Sequence, residues 1–273
     1  MRYTTIAACL VFLALTACST YTNNARNAAN SYGMRWEYIS AGDFDLATAW
    51  KGGAKDKPLY VYIEGDGRAY LSPETPSSDP TPSPQMALNL ATKHPWKNAV
   101  AYLARPCQYA LPDHNRNCSE DYWTDMRFSP EVVTSSNRAI DTLKMRTKTA
   151  RVVLVGYSGG GAVAILAAAK RNDVDAIITV AGNLDTDRWT KIDNLSPLEG
   201  SLNPADFASM VAMVPQVHFS GERDESVPTA VVQSFMSKLP PASPAQIVTI
   251  PKFNHECCWV EQWRELLKTK THQ

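Results

Sequence analysis

The stretch RVVLVGYSGGG, Arg151 to Gly161, continued by the Ala-rich run Ala162 to Ala169, decides how the chain folds. Val152 to Val155 is a short β-branched apolar run closed by Gly156, the pattern of a strand buried on both faces, and a helix is expected almost at once after it. Between the two, Gly156-Tyr157-Ser158-Gly159-Gly160 matches G-x-S-x-G in the strand-turn-helix context that the motif requires. Ser158 is then expected at the tip of a sharp turn, where Gly156 and Gly160 omit Cβ atoms that would collide. Its hydroxyl stands clear of the backbone above a helix N-terminus, where the Gly159 N–H can meet a developing oxyanion.

On the N-terminal side of this unit, Met34 to Ser40 and Phe44 to Trp50 flank Ala41-Gly42-Asp43 and read as an antiparallel hairpin. Leu59 to Ile63 is a third strand, ending in Glu64-Gly65-Asp66-Gly67. Ala99 to Ala104 is a fourth, and Pro130 to Arg146 a helix with Val132, Val133, Ile140 and Leu143 on one face. On the C-terminal side, Ala176 to Ala181, Gln216 to Ser220 and Gln246 to Ile250 read as strands. Pro228 opens a helix toward Leu239, and Glu256 to Lys268 closes the chain as a helix with Trp259, Trp263 and Leu266 on its apolar face. A hairpin followed by six strands with long crossovers implies a mostly parallel eight-stranded sheet with helices on both faces. Three connections exceed what the crossovers need: the Pro-rich Ser72 to Pro84, expected to run extended because each Pro fixes φ and removes a donor, Arg105 to Ser129, and Asn183 to Pro215. All leave the carboxyl ends of strands, where open α/β sheets bind ligands, so all three are candidates for a pocket wall.

The 273 residues suit a single α/β domain over 32–273. Lys plus Arg equals Asp plus Glu at 27 each, so the charge balance points to no nucleic-acid partner. The N-terminal 17 residues have a basic residue, Arg2, an apolar stretch from Ile6 to Leu15 too short to span a bilayer, and a small-residue exit at Thr16-Ala17, the pattern of an export signal. Leu15-Thr16-Ala17-Cys18 resembles a bacterial lipoprotein lipobox, which implies acylation of Cys18, with a plain secretory signal as the alternative. Ser19 rather than Asp after Cys18 implies, in the enterobacterial sorting pattern, the outer membrane facing the periplasm. Residues 18–31, rich in Asn, Ala and Thr without periodicity, are expected to form a flexible tether.

Of the six cysteines, Cys107, Cys118, Cys257 and Cys258 remain after Cys9 and Cys18 are set aside. An even set in an exported chain suggests bridges, with Cys107–Cys118 favoured and the state of Cys257 and Cys258 open. C-x-x-C and zinc-ligand spacings are absent, so neither a metal nor an organic cofactor is expected.

The order of elements, with the G-x-S-x-G turn after the fifth of eight strands, resembles the α/β-hydrolase fold. That resemblance implies a serine nucleophile at Ser158, with an acid and then a histidine following in the chain. A serine hydroxyl needs a base, usually a histidine oriented by a carboxylate. His94 and His114 precede Ser158, His218 lies within a strand, and His272 is next to the C-terminus, which leaves His255, beyond the last strand, as the base. Gly221-x-x-Asp224-x-x-Val227-Pro228 is a pattern that members carry around the acid, so Asp224 is the choice, with Asp185 and Asp187 as alternatives. A second oxyanion N–H is implied from the loop after the third strand, at Asp66 or Gly67, although Glu64 stands where members often have a histidine. The Asp66 carboxylate must then point away or pair, with Arg68 as one partner. The resemblance implies a monomeric serine hydrolase acting on a carboxylic ester, thioester or related acyl bond of a small molecule or lipid, lipid-anchored in the bacterial cell envelope. An inactive envelope binding protein on the same fold and an acyltransferase using the same triad are the alternatives.

Overall fold

A computed structural model describes residues 20–270. The residues read as an export signal, Cys18 and His272 lie outside the described residues. Eight strands form one sheet in the order β1-β2-β6-β3-β7-β8-β9-β10. They are β1 (Arg35–Ala41), β2 (Phe44–Lys51), β3 (Leu59–Ile63), β6 (Val100–Leu103), β7 (Val152–Tyr157), β8 (Val174–Val180), β9 (Gln216–Gly221) and β10 (Ala245–Ile250). β2 runs antiparallel to β1 and to β6, and every other pairing is parallel. This is the mostly parallel α/β-hydrolase-like sheet with a leading hairpin that the sequence predicts.

The two-residue alternation of strands divides the core. On β7, Val152 and Leu154 join one cluster, with residues of α3 (Pro130–Thr147), α4 (Gly159–Ala168) and α6 (Thr229–Met236). Val153 and Val155 join the other, with α2 (Met86–Thr92) and α7 (Trp259–Lys270). Both faces are therefore covered by helices, and the strands in the middle read as continuous apolar runs. Polar side chains cross this core as well: the Trp263 indole N–H donates to the Tyr62 hydroxyl at 3.1 Å, which lies 2.9 Å from His94 Nδ1.

Three expectations are corrected. Residues 20–31 are a helix, α1, and not a flexible tether: Thr22, Ala25 and Ala29 are buried, and both alanines pack in the second core cluster. Their side chains are so small that the apolar stripe escapes a hydropathy pattern, yet they allow close backbone approach. Within the Pro-rich connection, Tyr70–Ser72 and Thr75–Pro76 pair as a small separate hairpin, β4 and β5, so this segment is not extended throughout. The last helix begins at Trp259 rather than at Glu256, because the Asn254 side chain accepts the Glu256 and Cys257 N–H groups at 3.0 and 2.7 Å and holds those residues in a turn.

Candidate active site

Ser158 stands between β7 and α4 at φ 51°, ψ −123°, a conformation that L-residues rarely adopt. Its neighbours make the turn possible. A Cβ on Gly156 would run into the Gly160 carbonyl, and one on Gly160 would strike the Ile63 carbonyl and come within 2.6 Å of the Glu64 oxygen. The Ser158 N–H donates to the Val180 carbonyl at 2.9 Å, and its own carbonyl accepts from Gly161 and Asn183. The side chain is left free to face the sheet's carboxyl edge.

There it meets the histidine. His255 Nε2 lies 3.0 Å from Ser158 Oγ, and Nδ1 lies 3.0 and 3.1 Å from the two Asp224 carboxylate oxygens. With the Nδ1 proton donated to Asp224, Nε2 is left to accept the serine proton. The Asp224 side chain is fully buried, and Oδ1 also accepts the Val227 N–H at 2.9 Å. The two loops that carry acid and base are joined, since the Arg223 N–H donates to the Phe253 carbonyl at 2.8 Å and a Cβ on Gly221 would come within 2.6 Å of that oxygen. The His255 carbonyl accepts from the Tyr157 hydroxyl at 3.2 Å and from the Trp259 indole at 3.0 Å. Ring and relay are thereby fixed from behind.

Of the other candidates among the described residues, Asp185, Glu222, His218 and His114 are held elsewhere. Asp185 caps α5 (Thr186–Asp193) and accepts from Ser234 and Asn203, while Glu222 accepts the Lys252 N–H. His218 is fully buried, bonded to Thr179 through Nδ1, and burial pushes its pKa down to about 3. His114 stacks on Tyr38.

Opposite the elbow lies the Glu64–Gly67 loop. Gly65 sits so close that a Cβ would come within 3.2 Å of the Ser158 Cβ, and the Asp66 carboxyl carbon lies 2.6 Å from where a Gly159 Cβ would be. Gly65 is thus brought beside Ser158 and the Asp66 side chain beside Gly159, with Gly67 next in the same loop. The Asp66 carboxylate does not pair with Arg68. It accepts from Arg105 Nη1 at 3.1 Å and Arg127 Nη1 at 3.0 Å, both of which are buried. Burial raises the Asp66 pKa, but the guanidiniums of Arg127 and Arg105 outweigh that and hold the carboxyl below its ordinary value. Arg68 instead donates to the Tyr21 hydroxyl of α1 at 2.8 Å, with its guanidinium 5.0 Å from the ring centre. Glu64 is buried and accepts the Gly65 N–H at 3.0 Å and the Ala87 N–H, in the first turn of α2, at 3.1 Å. Burial pushes its pKa up to about 7 against those bonds.

A cavity of about 270 Å³ opens between the loop and the triad. Pro82, Ser83 and Pro84 of the Pro-rich connection line it, together with Arg68, Met86 and Glu256. Among the described residues, neither Arg105–Ser129 nor 183–215 contributes to this wall, which corrects the expectation for two of the three long connections. The first of these acts behind the wall, where Cys107 and Cys118 are bonded to each other across a Cα separation of 5.4 Å. The second holds α5 and a 3₁₀ turn, Pro204–Val211, that packs on α4. Cys257 and Cys258 are bonded to each other.

Residues 108–256, more than half of the chain, match the Dienelactone hydrolase family. The chain belongs to the dienelactone hydrolase family. Membership supports hydrolase activity on ester-type bonds of a small-molecule substrate. Solved structures agree in fold. Est1E from Butyrivibrio proteoclasticus is 17% identical with a TM-score of 0.59, covering 85% of this chain and 96% of that one. An α/β serine hydrolase homologue from Coxiella burnetii is 14% identical, with a TM-score of 0.59 over 85% and 95%. An α/β serine hydrolase without a lid from Xanthomonas campestris is 15% identical, with a TM-score of 0.56 over 86% and 92%. No curated protein matches the chain. In this dienelactone hydrolase family member, Arg105, Arg127 and Tyr157 are the residues around the site that sequence reasoning missed. Neither arginine sits in a motif, Tyr157 fills the unspecified position of G-x-S-x-G, and only the expected bridge between Cys107 and Cys118 marked the segment between the arginines as more than a connection.

Proposed function

We propose that the chain is a serine hydrolase that cleaves a carboxylic ester, thioester or related acyl bond through an acyl-enzyme on Ser158. His255 takes the hydroxyl proton, Asp224 orients and balances the imidazolium, and Ser158 attacks the acyl carbon. The Gly159 N–H at the start of α4, with an N–H from Asp66 or Gly67, receives the oxyanion. Collapse of the adduct expels the alcohol or thiol, which takes the proton from His255, and a water activated by the same imidazole then frees the acid and restores Ser158. The single observation that carries this reading is the unbroken relay Asp224–His255–Ser158, with 3.0 Å at each junction. An unused relay gives an inactive binding protein no advantage. The lipobox reading adds anchoring at Cys18 in the bacterial envelope.

The cavity of about 270 Å³ is at the small end for ligand sites, which favours short acyl groups or substrates that leave part of their length in solvent. A panel of p-nitrophenyl esters of graded chain length, given to the form lacking residues up to Cys18, tests both points. Hydrolysis that is fastest for short chains and lost in Ser158→Ala is expected. Turnover that survives Ser158→Ala would remove the serine from the mechanism.

A further inference from the structure

An aspartate beside an oxyanion site is a liability, because a carboxylate next to the developing negative charge opposes it. Here the Asp66 carboxylate packs on the Gly159 backbone. Two buried guanidiniums face one carboxylate, so Arg105, Arg127 and Asp66 together carry one positive charge in excess. Arg127 is itself anchored, since its Nε donates to the Thr124 carbonyl at 2.5 Å. Arg105 donates through Nη2 to the Arg127 carbonyl, which ties the two arginines together, and its guanidinium lies 5.1 Å from the Phe128 ring centre. The same segment grips the loop at a second point: Gln108 accepts the Arg105 N–H at 3.0 Å and donates to the Gly65 carbonyl at 2.8 Å. Cys107, bonded to Cys118, lies between Arg105 and Gln108 in sequence. The loop that carries both candidate donors, Asp66 and Gly67, is therefore clamped at the Gly65 carbonyl and at the Asp66 side chain.

We infer that Arg105 and Arg127 are positioning residues for the oxyanion site: they hold the Asp66–Gly67 turn against Gly159 and turn a repulsive carboxylate into a net positive group beneath the developing oxyanion. The inference rests on the serine hydrolase reading and adds to it residues that touch neither substrate nor triad. Oxyanion donors act mainly in the transition state, so their misplacement lowers kcat and leaves KM near its starting value.

The test uses Arg127→Met, Asp66→Asn and the pair combined, with Arg127→Lys and Ser158→Ala alongside, on the whole chain. Arg127→Met leaves the carboxylate with one partner and is expected to lower kcat at least 10²-fold with KM within threefold, the scale of one lost oxyanion donor. Adding Asp66→Asn to it removes the carboxylate, returns the cluster to the parent's single positive charge, and is expected to restore kcat at least tenfold. Arg127→Lys, which keeps the charge, stays within about tenfold of the parent. An alkyl boronate, whose tetrahedral adduct places an oxygen in the oxyanion site, loses affinity in step with kcat. A merely structural arginine would give a double variant no better than the single one, and that result, or an unchanged kcat in Arg127→Met, overturns the inference. Should Arg127→Met fail to fold, the comparison of Asp66→Asn with Arg127→Lys reads the same kcat-against-KM split, and a change confined to KM in both counts against it. A parent enzyme that is silent, or as active after Ser158→Ala, fails at the serine hydrolase reading and takes the inference with it. A parent that depends on Ser158 while kcat ignores the arginines overturns the inference alone.

Discussion

The Ser158 turn and the Glu64–Gly67 loop face each other across the same cavity but are held in different ways. The turn is shaped by residues within two positions of the serine, through Cβ atoms that Gly156 and Gly160 lack. The loop is shaped by partners between 23 and 61 residues away: the Ala87 N–H on Glu64, Arg105 and Arg127 on Asp66, and Gln108 on the Gly65 carbonyl. A local device leaves a motif in the sequence. A device built from distant side chains leaves only unremarkable arginines and a glutamine. The two meet at Gly160, whose missing side chain lets β3 and the loop that follows it lie against the elbow.

That meeting point gives the largest expected effect. Gly160→Ala places a methyl against the Ile63 and Glu64 carbonyls, both backbone atoms that cannot swing aside, and is expected to cost more than about 3 kcal/mol and abolish activity. Denaturant unfolding of the variant measures it, and a loss below about 1 kcal/mol would show that the elbow and the loop are not in close contact. Next comes the staple behind the loop. Cys107 and Cys118 are separated by 11 positions, and closing a ring of that size is worth about 3 kcal/mol in the chain-entropy account. Dithiothreitol should therefore lower the melting temperature of the parent by several degrees more than that of a Cys107→Ala/Cys118→Ala variant, whose remaining Cys257–Cys258 bridge joins adjacent residues and closes no comparable loop, and an equal shift in both would count against the bridge.

The smallest effect separates the loop from the elbow by pH. The Glu64 carboxyl has a folded pKa of about 7, above its ordinary value of 4.5, so between those limits the folded chain holds a proton that the unfolded chain has lost. Stability from this group is accordingly present in acid and falls as the pH rises, by about 2 kcal/mol between pH 5 and pH 8. Glu64→Gln should flatten that slope in denaturant titrations across the range. A slope of the same steepness in the variant would assign it to other groups.

The division between near and far contacts also explains what could be read in advance. The succession of strands, the turn at Ser158 and the positions of Asp224 and His255 beyond later strands were legible, because an apolar run, a glycine pair, a family pattern or a place at a strand end announces each of them. The triad geometry adds what no pattern could supply, the joining of the two loops through Arg223 and Phe253. The helix over residues 20–31 was illegible because Ala25 and Ala29 bury a face that barely registers as apolar. The pairing of Asp66 with Arg105 and Arg127 rather than with nearby Arg68 was equally hidden. Sequence proximity favoured Arg68, whose guanidinium the chain spends on Tyr21.

Covalent capture of the nucleophile tests the central claim most directly. The chain treated with a fluorophosphonate and digested for mass spectrometry should carry the adduct on Ser158, with labelling slowed at least a thousandfold in His255→Ala and absent in Ser158→Ala. An adduct elsewhere, or equal labelling after Ser158→Ala, would contradict the account.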